Sequence, residues 1–224
     1  MITAEDRMSI PGINFKGKKK NPRLDAESSI FELTFYKDRE YFSVMENLNN
    51  FVKSVEALCR KSKYYKRYVK FIKEDVQLDC CQVLSNVEIN EDSGISLEMH
   101  HGPILTLYDY CVIIIDTLLA KEYDQITTFR VADIIMREHY MNNIQVVMLT
   151  KTVHEAVDEG LFLNYKQGFG NLGLFLKKYK DGISKDQIFK INAYIRMCED
   201  YNSFDNMLLA LKDRVKEWSQ ENII

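Results

Sequence analysis

The stretch CCQVLSNVEINEDSGISLEMHH, Cys80 to His101, alternates apolar and polar residues in a chain whose other patterned segments repeat every three to four residues. Successive side chains of a strand face opposite ways, whereas neighbours on one helix face lie three or four apart. The change of period predicts two short strands, roughly 82–89 and 95–100, joined as a hairpin through the turn-forming Asn-Glu-Asp-Ser-Gly at 90–94. Gly102-Pro103 ends the second strand, because proline has no ladder donor and a fixed φ.

Helical spacing governs the rest. Tyr41, Val44, Met45, Leu48, Phe51, Val52, Val55 and Leu58 share one helix face within 31–60. A second helix after Ser62 turns Tyr65, Tyr68, Val69 and Ile72 inward and sets Lys63, Lys66, Arg67, Lys70 and Lys73 largely on the other side. Further helices are expected over 105–121, over 128–140 with Thr127 or Thr128 as N-cap, and from Thr150 or Thr152 to a stop at Gly160. Two more helical patterns follow in 177–218, where Ser184 and Gln187 have capping-box spacing. The predicted fold class is α+β, mostly helical with a small central β-hairpin. The expected divisions are an extended basic arm (1–30), a helical N-terminal region (31–78), a central core (79–165) and a helical C-terminal region (166–224).

With 224 residues, 46% hydrophobic and 28% charged, the composition is that of a soluble globular protein. The net charge of -3 excludes a wholesale basic surface, so contact with nucleic acid must come from local patches. FKGKKKNPRL, Phe15 to Leu24, and the lysine face after Ser62 are two such patches, each either a solvated surface or a phosphate contact. Five cysteines, with Cys80 and Cys81 adjacent, do not make a disulfide framework, and a reducing, cytoplasmic setting is expected. The longest apolar run, 110–120, is interrupted by Asp116 and is too short to span a bilayer.

Two of the four histidines, His100 and His101, stand side by side at the strand exit. A regular strand sends them to opposite faces, and the Gly-Pro break is where that rule relaxes. His154 and Asp158 are one helical turn apart, so both reach one cation. Glu98 shares the strand face of His100 and is placed to orient a histidine from behind. His139 finishes a helix and is a reserve candidate.

On LEMHHGPI and NNIQVVMLTKTVHEAVDEG the sequence resembles the HNH family of ββα-metal nucleases, over roughly 80–160. The resemblance implies a ββα-metal core with a helical insertion over 105–140, and a divalent ion (Mg, Mn or Zn). It makes His100 and His154 metal ligands and His101 the general base. Asp158 stands where the family often has a second helical histidine, and a carboxylate also suits a divalent ion. Thr150 and Val153 stand where the family often has cysteines of an auxiliary zinc site. The motif asparagine falls on Asn143, with Asn142 and Gln145 as neighbouring alternatives.

The implied function is metal-dependent hydrolysis of DNA, with Lys63, Lys66, Arg67, Lys70 and Lys166 as phosphate contacts. The alternative is a catalytically inactive protein on the same scaffold that binds nucleic acid or a protein partner within a larger assembly. The lysine-, asparagine- and tyrosine-rich style resembles proteins of large bacteriophages, which puts the chain in a host cytoplasm. NYKQGFGNLG, Asn164 to Gly173, reads as a plain connecting loop or a flexible loop over the substrate, and it lacks the spacing of a phosphate-binding P-loop.

Overall fold

The computed structural model describes residues 36–84, 95–122 and 126–200. Three helices come first: α1 (Arg39–Ser43), α2 (Met45–Lys61) and α3 (Lys63–Glu74). Strand β1 (Leu97–His101), helices α4 (Leu107–Ala120) and α5 (Thr128–Tyr140), and strand β2 (Val146–Thr150) follow. Helix α6 (Lys151–Asp158), a 3-10 turn at Tyr165–Gln167, α7 (Leu172–Lys178) and a helical stretch over 185–200 complete the described chain. The fold is α+β, as its patterning predicts.

Polar caps set most boundaries. The Ser62 hydroxyl accepts from the Tyr65 amide and opens α3. Thr106 and Asp109 cap each other's backbone, so α4 begins at Leu107 rather than 105. Thr127 caps α5 and Ser184 exchanges bonds with Gln187, both as expected. The helix expected over 31–60 is interrupted at Val44, which is extended. Asp38 starts the short α1, the Ser43 hydroxyl donates to the Glu40 carbonyl, and the Asn47 amide donates to Tyr41 O, taking up acceptors at the end of that turn.

The sheet partner of β1 among the described residues is a segment far along the chain. β1 pairs with β2, antiparallel, with His100 opposite Val147 and His101 opposite Val146. Residues 82–84 are not strand, and the rest of that predicted strand and its turn (85–94) lie outside the described residues. Gln82 instead borders the far side of β2. Its amide donates to Met148 O at 2.9 Å, and its side-chain oxygen accepts from Met148 N at 2.7 Å. Phe169 exchanges two backbone bonds with Val146 along the same side. The segment expected to be a loop is therefore tied to the sheet through Phe169 and runs into α7.

One face of the sheet, carrying Met99, Val146 and Met148, joins the main core with α2, α3, α4 and α5. Nearly every side of α4 is buried, which makes it the central helix. This cluster runs from Phe42 to Ile191, so the divisions expected at 78/79 and 165/166 fall inside one continuous core. The arm at 1–30 lies outside the described residues. The other sheet face packs Val147 and Leu149 against Val153 of α6, Cys81 and Leu163. Burial of such side chains contributes on the order of 2 kcal/mol each.

At the end of α7 the chain closes tightly on α4. A Cβ on Gly182 would collide with Ile113 O and the Thr117 hydroxyl, and that hydroxyl already serves Ile113 O and Tyr179 O. Gly182→Ala is expected to destabilise the protein by roughly 1–3 kcal/mol, the range for overpacking a tight contact. Urea unfolding checks this, and an unchanged midpoint would refute the tight closure.

Candidate metal centre

The strand–strand–helix unit brings three expected ligands together. Among the described residues, ligand atoms of His100, His154 and Asp158 lie within 4.8 Å of one another. The imidazoles of His100 and His154 meet edge to face at 4.9 Å between centroids. His154 Nε2 lies 4.0 Å from Asp158 Oδ2. Tetrahedral ligands about 2.1 Å from zinc are ~3.4 Å apart, so closure needs only a small shift, which the exposed Asp158 is free to make.

Glu98 supports the group from behind. Its carboxylate lies 2.7 Å from His154 Nδ1. A carboxylate only accepts, so Nδ1 carries the proton and Nε2 turns its lone pair toward His100 and Asp158. His100 is half-buried; desolvation first, then the nearby His154, hold its pKa below the ordinary value despite Asp158. A neutral imidazole is the ligand form, so the environment favours coordination.

His101 is not brought to this group. Alternation sends it into the core on the opposite face, where its Nε2 lies 2.9 Å from His139 Nε2. His139 Nδ1 donates to Ile135 O at 2.8 Å, leaving its Nε2 to accept from His101. Tyr65 stacks on His101, and Tyr68 meets His139 edge to face. Burial pushes His101 well below the ordinary histidine value, and pushes His139 down to about 4. Sequence reasoning left His139 at a helix end, although its position one turn after Ile135 and two after Ala132 is the core face of α5.

Asn143 also sits elsewhere. It is buried, donating its amide to Glu138 Oε2 at 2.7 Å. Glu138 also accepts from Lys178 and Tyr179, and although burial works against its charge, these bonds outweigh it and hold the carboxyl below its usual range. Glu138 thus ties α5 to the end of α7, and Asn143 is bonded to it. Gln145 donates its side-chain amide to Tyr165 O, and Asn142 adopts a φ of 54° at the turn leaving α5. Thr150 is buried at the end of β2 and Val153 packs beside Cys81, so apolar packing holds this corner of the sheet.

Lys63, Lys66, Arg67 and Lys70 are exposed on α3, away from its buried Tyr68 and Ile72. Lys63 covers the Tyr64 ring and Lys70 pairs with Glu74. Lys166 is exposed on the 3-10 turn. No contact joins these cations to the histidine–aspartate group.

The protein is thus an α+β, mostly helical chain carrying a three-residue histidine–aspartate group on the outer face of a two-stranded sheet. Residues 12–221 match the family described as Bacteriophage G278-like virion protein, and the chain belongs to that family. No curated protein and no solved structure matches it. A virion protein has its place in a larger phage assembly. Among the described residues no helix is long and apolar enough to cross a membrane.

Calorimetric titration of metal-free protein with zinc or manganese is expected to give one site per chain, lost in His154→Ala and weakened about 10- to 100-fold in Glu98→Gln, the usual effect of removing an outer-shell partner. Equal affinity in all three proteins would remove the site.

The buried imidazole pair predicts a separate pH effect. With its folded pKa depressed to about 4, His139 contributes stability that is complete above its unfolded value near 6.5 and is lost as pH falls toward 4. The span corresponds to on the order of 3 kcal/mol. Urea midpoints at pH 7 and pH 4.5 should converge markedly in His139→Gln relative to the native protein.

Proposed function

We propose that this virion protein holds a divalent cation through His100, His154 and Asp158 and serves in the particle as a metal-pinned accessory subunit, rather than as an HNH-type nuclease. The observation that carries this reading is the placement of His101. The residue to which the HNH resemblance gives water activation is 5% exposed, bonded to His139, and on the sheet face opposite His100. A general base must come within hydrogen-bond reach of its water, and its proton affinity must suit the working pH. His101 meets neither condition in this arrangement, and Asn143 is committed to Glu138.

One feature favours a second reading, metal-dependent hydrolysis of DNA by an HNH-like site. Three protein ligands leave a coordination position open, which is the usual form of catalytic zinc, and a metal-bound water is a nucleophile near neutral pH without a histidine base. The two readings share the cation and differ in turnover. Supercoiled plasmid incubated with the protein and magnesium, manganese or zinc should stay intact, while the same ions raise the melting temperature of the native protein but not of His154→Ala. Nicking that depends on metal and disappears in His100→Ala would overturn the accessory reading and establish the nuclease.

A further inference from the structure

Charge is unevenly spread along this chain. The whole carries a net -3, yet residues 60–73 alone carry +7 with no acidic residue among them, which leaves -10 for the rest. Arg60 and Lys61 are exposed in the last turn of α2, and Lys63, Lys66, Arg67 and Lys70 are exposed on α3. At 3.6 residues per turn the four cations of α3 fall within about 100° of arc, opposite the buried Tyr68 and Ile72. Lys73 is spent inward, donating to Leu97 O at 3.1 Å, and Tyr65 stacks on His101, so α3 is fixed beside β1 from both ends.

Little on the protein neutralises this face. Glu74 lies 3.5 Å from Lys70, with both side chains more than half exposed. Glu56 stands one turn before Arg60 on α2, close enough for the two charges to act on each other. Among the described residues, Lys61, Lys63, Lys66 and Arg67 have no carboxylate within salt-bridge distance. The arrangement works against the helix that carries it. Like charges three and four apart repel, as Lys63 does with Lys66 and Arg67, and Lys70 with the same two. The first turn of α3 holds no acid, so its cations also oppose the positive end of the helix dipole. A polyanion along α3 relieves both.

We propose that this face, with Arg60 and Lys61 at its end, binds the phosphate backbone of nucleic acid without reading its sequence. Lys63 to Lys70 spans about 10 Å at 1.5 Å per residue. Over that length duplex DNA presents roughly six phosphates, one per ~1.7 Å of axis, so every cation has an anion in reach. Four of the six exposed cations are lysines, point charges that suit phosphate, whereas lysine is depleted where proteins bury surface against each other. A membrane is the poorer fit, because the apolar stripe of α3 is spent in the core and none is left to sink into lipid. The contact needs neither a metal nor turnover, and it stands or falls separately from the cation site.

The test is fluorescence anisotropy of labelled short DNA duplexes titrated with the full chain in EDTA, across a series of salt concentrations. Two duplexes of unrelated sequence should bind alike, with log K falling against log salt at a slope of about -4 to -5, the value for some five phosphate contacts. Lys63→Ala/Lys66→Ala/Arg67→Ala should weaken binding about 100-fold at low salt and reduce the magnitude of that slope by about three. Lys177→Ala/Lys180→Ala/Lys185→Ala, an equal loss of exposed charge on and after α7, should bind as the native protein does. Circular dichroism melting should show the α3 variant at least as stable as the native protein, since repulsion has been removed; should it not fold, Lys66→Gln/Arg67→Gln takes its place. Absence of binding, or binding that salt does not weaken, would overturn the proposal. So would unchanged binding in the α3 variant, or an equal loss in both triple variants. Association with phosphatidylserine vesicles but not with DNA would assign the face to a membrane surface and overturn it as well.

Discussion

Alternation along β1 sends Glu98 and His100 to one face of the sheet and His101 to the other, and the pairing with β2 holds that alternation in register. A slip of one residue would exchange the faces, placing His101 beside α6 and His100 in the core. Register is fixed because both faces are buried in different ways: Met99 and Met148 lie in the main core, Val147 and Leu149 under α6. The chemistry of the four histidines follows from this division. One pair is half-buried and faces a carboxylate on each side; the other is sealed among tyrosines and stays neutral.

Much of this was legible in the sequence, and the rest failed for identifiable reasons. The caps at Thr127 and Ser184, the stop at Gly160 and the inward stripe of α3 are local, and local chemistry sufficed for them. The neighbourhood of His154 and Asp158 was readable from their i to i+4 spacing, whereas His100 was joined to them only through the resemblance to the HNH family. Strand β2 was missed because a strand's partner is a long-range choice: the fully buried run Val146–Thr150 lacks the alternation that marks a half-exposed strand. Asn143 took its chemical role from the HNH resemblance, while its buried amide is spent on Glu138.

Membership in a virion protein family changes what the basic face of α3 and the histidine–aspartate group are asked to do. The apolar packing of α6 on the sheet sets His154 and Asp158 beside His100.

The border that Gln82 and Phe169 make along β2 has a consequence of its own. A two-stranded sheet would ordinarily offer an open row of amides and carbonyls, a template on which an identical chain could lay a strand. Here Met148 and Val146 spend those groups on Gln82 and on Phe169. A strand from another chain therefore finds the groups of Val146 and Met148 already taken along this edge.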